Sequence, residues 1–83
     1  MNMMARSKEL VIDILERELD NEIQELENDY NRTGVKPYDE MLHYAWEIRT
    51  ALFELYRETI KDPKTLQDKK DYFNVRLKDL RRK

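Results

Sequence analysis

Apolar residues recur along this chain at intervals of three and four over three stretches, and two short interruptions separate those stretches. At about 100° per residue this spacing keeps the apolar side chains on one face, the mark of an amphipathic α-helix. The first interruption runs from Asn31 to Pro37. Its Gly34 suits the left-handed position past a helix C-terminus, and Pro37 suits the first turn of the helix that follows. Asp39 and Glu40 then place negative charge at the positive end of that helix's dipole. The second interruption is Lys61-Asp62-Pro63, where Asp62 can cap a helix and Pro63 can take its first position. The pattern predicts helices over 7–32, 38–61 and 64–81, with Ser7 as the N-cap of the first. Short connections make neighbouring helices antiparallel. The expected fold is therefore all-α, a three-helix antiparallel bundle forming one domain over 1–83.

The width of each apolar face refines this picture. In the first helix Ile12, Leu15, Leu19, Ile23, Leu26 and Tyr30 make a single stripe. Its start is wider, because only Asp13 interrupts the run from Leu10 to Leu15. Leu10, Val11 and Ile14 must meet apolar surface on more than one side, supplied either by both other helices or by a second copy or partner. The second helix carries two seams. Tyr38, Met41, Ala45, Ile48, Leu52, Leu55 and Thr59 follow a heptad, as in a coiled coil, and Leu42, Trp46, Phe53, Tyr56 and Ile60 run beside it. A helix apolar over about half its circumference needs a neighbour on each side, which places it centrally. In the third helix the stripe is Leu66, Phe73, Leu77 and Leu80, expected to face Ile60, Phe53 and Trp46. Tyr72 and Val75 fall off it, either as scattered surface residues or as part of a contact face.

Composition changes little of this and excludes a good deal. Charged residues make up 41% of the 83 positions and hydrophobic residues 40%, which suits helices with one buried stripe and a solvated remainder. With no cysteine, disulfides, thiolate metal sites and thiol nucleophiles are impossible. No apolar run approaches the roughly 20 residues that span a bilayer, and Met1 to Lys8 lacks the apolar core of a signal peptide. A cytoplasmic protein is the expectation.

Charge is segregated along the chain. Residues 1–62 hold 8 basic and 15 acidic side chains, a balance of −7, whereas 63–83 hold 8 basic and 3 acidic, a balance of +5. On the first helix Glu9, Asp13, Glu16, Asp20 and Glu27 flank the apolar stripe on one side, and Glu18, Glu22, Glu25 and Asp29 flank it on the other. Internal pairing would set Lys69, Lys70 and Arg76 against one of these acidic flanks, with Lys78, Arg81, Arg82 and Lys83 at the negative end of the last helix dipole. A second reading gives Lys69, Lys70, Arg76, Lys78, Arg81 and Arg82 to nucleic acid through counterion release. A sequence pI near 5.4 and three interrupting aspartates weigh against it. A third reading offers the acidic flank to a basic groove on another protein, blocking a phosphate site.

The residues of catalysis are not arranged for it. His43 has Asp39, Glu40 and Glu47 within one helical turn, and Glu40 to His43 repeats a spacing found in di-iron bundles. All four project away from the two apolar seams, whereas bundle metal sites point inward. Ser7 has no base beside it, and one glycine cannot build a phosphate cradle. Neither a catalytic residue nor a cofactor or metal is expected. In general character, rather than in any motif, the chain resembles small helical proteins of phages and mobile elements that sequester a host protein. The expected function is non-enzymatic regulation or inhibition by stoichiometric protein binding, as a homodimer. Its contact residues are drawn from Leu10, Val11, Ile14, Glu9, Asp13, Glu16, Asp20, Glu27, Tyr72 and Val75.

Overall fold

A computed structural model of the chain describes residues 3–82, with side chains described for 7–82. Three helices, α1 (Met3–Thr33), α2 (Asp39–Thr59) and α3 (Pro63–Arg82), pack as a bundle, and each touches both of the others. At about 1.5 Å per residue α1 is roughly 46 Å long, close to the molecule's longest dimension of 49 Å. None of the helices is long and apolar enough to cross a membrane among the described residues.

The helix ends are set by local chemistry. Gly34 adopts φ 73°, and its N–H donates to the Tyr30 carbonyl at 2.7 Å, closing α1. A side chain would find open space there, so glycine is favoured by the backbone conformation alone. Asp62 caps α3 as expected: it accepts from the Thr65 N–H at 3.0 Å and from the Thr65 hydroxyl at 2.6 Å. Those bonds, the hydroxyl first, hold its carboxyl below the ordinary range. Pro63 takes the first helical position.

Two expected ends move. Ser7 is not an N-cap, because α1 is already helical from Met3: nothing between Met3 and Ser7 disfavours helix, and Met, Ala and Arg favour it. Pro37 lies before α2 and is buried, while Tyr38 is the N-cap at φ −74°, ψ 158°. The first helical bonds run from the Met41 and Leu42 N–H groups to the Tyr38 carbonyl, at 3.0 and 3.2 Å, which leaves Pro37 outside the helix.

The core is one cluster drawn from all three helices: Leu19, Ile23 and Leu26; Leu42, Ala45, Ile48, Leu52, Phe53 and Tyr56; Phe73, Leu77 and Leu80. Ile12, Leu15, Trp46, Ile60 and Leu66 pack against its edges. The two seams of α2 give it the neighbour on each side that they require, and α1 shares that position, since it meets α3 directly. The heptad seam is left uncovered at its start, where Tyr38 and Met41 sit beside the turn rather than under a helix.

In the wide start of α1, Ile12 and Leu15 pack against the core, whereas Leu10, Val11 and Ile14 are left exposed. Leu10 and Ile14 precede the buried Leu19 and Ile23 by nine residues each, half a revolution, and so face away from the bundle. Leu77, with no exposed surface, and Val75, 62% exposed, test this division on one helix. Urea denaturation should show Leu77→Ala losing about 2–5 kcal/mol, and Val75→Ala changing stability by no more than about 0.5 kcal/mol.

Candidate interaction surfaces

Three grooves run between the helices, and their charges differ. Between α1 and α3 the charges are matched. Arg76 lays its guanidinium against Glu27, with Nη2 2.9 Å from Oε1 and Nε 3.3 Å from Oε2, and gives Nη1 to Asp20. Tyr72 donates its hydroxyl to Asp20 at 3.1 Å. Lys69 lies 3.5 Å from Glu16, whose carboxylate also accepts a 2.6 Å bond from the buried Tyr56 hydroxyl. Burial first, then that bond, pushes the Tyr56 hydroxyl far above its ordinary value. The Arg76 bond holds the Asp20 carboxyl low against the opposing effect of burial, with Tyr72 adding to it. Glu16, Asp20 and Glu27, together with Tyr72, are thus committed within the chain. Asp13 pairs with Arg17 at 3.3 Å, and Glu9 is exposed.

Between α1 and α2 the charge is one-sided. Glu18, Glu22 and Glu25 have no cationic partner among the described residues. Glu18 accepts the Tyr44 hydroxyl at 3.0 Å. The Glu22 carboxyl is raised by burial and then by repulsion from Glu25 and Glu18. Asp29, on the same flank, is answered by Arg32 at 3.1 Å.

Between α2 and α3 the sign reverses. The basic residues of α3 divide between two flanks, so Lys70 does not face the acids of α1 as expected. Its position points it toward α2, where its ammonium lies 5.8 Å from the Phe53 ring centre. Arg49, which the sequence pattern did not single out, sits 4.8 Å above both Trp46 and Phe53 and donates to Asn74 at 2.6 Å. Burial lowers the pKa of its guanidinium. Arg81 lies 5.9 Å from the other end of this strip, over Trp46. Lys78 and Arg82 are exposed. Among the described residues none of Arg49, Lys70, Lys78, Arg81 and Arg82 has a carboxylate partner. Of the six residues of the nucleic-acid reading, Lys69 and Arg76 meet carboxylates of α1.

The exposed apolar residues collect in places. Leu10, Val11 and Ile14 are 61%, 43% and 55% exposed on the outer face of α1. Val35, Tyr38 and Met41 border a groove of about 230 Å³ at the α1–α2 turn, with Leu26 and Pro37 also lining it. On α3 Tyr72 and Val75, three residues apart, are 56% and 62% exposed. His43 Nε2 is 2.9 Å from Glu47 on the exposed side of α2. Among the described residues no three potential ligands gather as a metal site would require.

The Arg76 clamp sets an acid dependence. The folded carboxyl of Asp20 titrates below its unfolded 3.8, so its stabilisation is present above that pH and is lost as pH falls through the folded value. Arg76→Met should cost about 1–2 kcal/mol at neutral pH, allowing for the partial exposure of Asp20. In thermal melts the gap from the parent should narrow at pH values below 3.8, whereas Lys78→Met should melt with the parent throughout. Comparisons with protein-family models, curated proteins and solved structures find no match for this chain.

Proposed function

We propose that this protein is a non-enzymatic regulator or inhibitor that works by stoichiometric binding to another protein, as a homodimer joined along the outer face of α1. The observation that carries the reading is the trio Leu10, Val11 and Ile14, exposed within two turns of α1, with Leu10 and Ile14 on the side away from its buried stripe and Val11 on the flank beside it. Lone exposed apolar residues are ordinary, but adjacent ones on one rigid face mark contact surfaces. A helical stripe of this kind is complementary to its own copy when two such helices pack side by side.

The order of contacts supports an up-down-up course with antiparallel neighbours. Lys8 pairs with Glu58, whereas Glu18, further along α1, meets Tyr44, earlier on α2. Arg49 meets Asn74, and Trp46 meets Arg81, in the same reversed sense. A rigid frame of this type presents α1 as a straight ridge. The solvent-facing His43 of α2 supports a binding role over a catalytic one.

Light scattering of the purified protein should report a dimer. Ile14→Glu and Val11→Glu should convert it to a monomer with the parent's circular dichroism, since both side chains are largely exposed. A parent that is monomeric at every concentration, or variants that remain dimeric, would remove the proposed contact.

A further inference from the structure

The basic groove between α2 and α3 faces a different side of the molecule from the α1 ridge and has a counterpart inside the chain. On its other flank α3 receives an acidic amphipathic helix, α1, whose Glu16, Asp20 and Glu27 meet Lys69, Tyr72 and Arg76. On the flank toward α2, Lys70 and Arg81 repeat the cationic half of that interface, and Arg49 adds a third charge from α2. No carboxylate among the described residues answers them. The floor is apolar, formed by Phe53 and the half-buried Trp46. We infer that this groove is the docking site for an acidic amphipathic helix of a partner protein.

Charge complementarity and shape both select that occupant. A groove between two packed helices receives a third helix by the ridge-and-groove fit that already holds α1. Acidic side chains three and four residues apart on the incoming helix would reach cations strung along Lys70, Arg49 and Arg81, as they do in the α1–α3 groove. A nucleic-acid strand fits less well. Guanidinium groups already lie over the Trp46 and Phe53 rings, and a stacking base would compete with them. Arg49 is short of solvent, and a carboxylate from a partner would offset that loss.

Trp46 is the chain's one tryptophan and lies in the groove, so its emission reports occupancy directly. The probe is a short amphipathic peptide of leucine, alanine and glutamate, with glutamates three and four residues apart. Titration into the full chain should give a saturable, one-to-one change in emission that weakens with added salt. The Lys70→Glu/Arg81→Glu pair should weaken binding by at least about tenfold, and Lys70→Gln/Arg81→Gln by less. Lys64→Glu, on the first turn of α3, should leave it unchanged. Ile14→Glu should also leave it unchanged, so the dimer and the groove stand or fall separately. Absence of any change, equal affinity in both groove pairs and the parent, or tighter binding of an oligothymidylate than of the peptide would overturn the proposal.

Discussion

Arg76 reaches Asp20 and Glu27 from a single guanidinium, and the arrangement of charge over the rest of the molecule depends on that clamp. The apolar stripe of α3 is narrow, so burial fixes which side of the helix faces inward but says little about which flank lies next to α1. The planar fork of arginine meets a carboxylate through two parallel bonds, a geometry lysine cannot copy. With only 18% of its side chain exposed, Arg76 works where water screens it weakly. Packed on the other side of the α1–α2 pair, α3 would turn Lys70 and Arg81 toward Glu18, Glu22 and Glu25. Opposite charges would still meet, but the two-carboxylate clamp, its Tyr72 support and the Lys69 contact would be lost.

The choice of side leaves remainders. Once Glu16, Asp20 and Glu27 are committed to α3, Glu18, Glu22 and Glu25 on the other flank of α1 have no cationic partner among the described residues, and their repulsion adds to burial in raising the carboxyl of Glu22. Once Lys69 and Arg76 are spent, the cations on the other flank of α3 have only aromatic rings and an asparagine beneath them. Rings stabilise cations by less than a desolvated carboxylate does. The bundle is therefore polarised across α2, acidic on one side and basic on the other, although the net charge of the chain is only −2.

How far this was legible in the sequence follows from which interactions are local. Leu19, Ile23, Leu52, Phe73 and Leu77 declare themselves because burial imposes the helical period directly. Gly34, Asp62 and Pro63 do so because each answers to backbone geometry within a few residues. Ser7 and Pro37 mislead because a cap needs a competing signal on its outer side, and neither Met3 to Arg6 nor Lys36-Pro37-Tyr38 supplies one where periodicity implies it. The fate of Lys70 and the role of Arg49 were out of reach for a different reason. Both depend on the side of the α1–α2 pair that α3 occupies, and a stripe pattern is the same for either side. The exposure of Leu10 and Ile14 was implicit in their nine-residue distance from Leu19 and Ile23, which the nearly continuous apolar run obscured.

The division of apolar residues bears on stability as well as contact. Twelve hydrophobic residues form the core, while nine large ones are exposed among the described residues, a costly ratio for a chain of this size. Fully burying a Leu, Val or Ile side chain is worth about 1.5–3 kcal/mol. Leu10, Val11 and Ile14 are each about half exposed, so covering them would gain about half of that apiece, before the entropy of association is subtracted. Folding and association through α1 would then be linked, with the melting temperature rising with protein concentration. Helix α1 spans nearly the full length of the molecule and supplies residues to the core, to the Arg76 clamp and to the exposed ridge. Its packing thus orders the surface at which such further burial would take place.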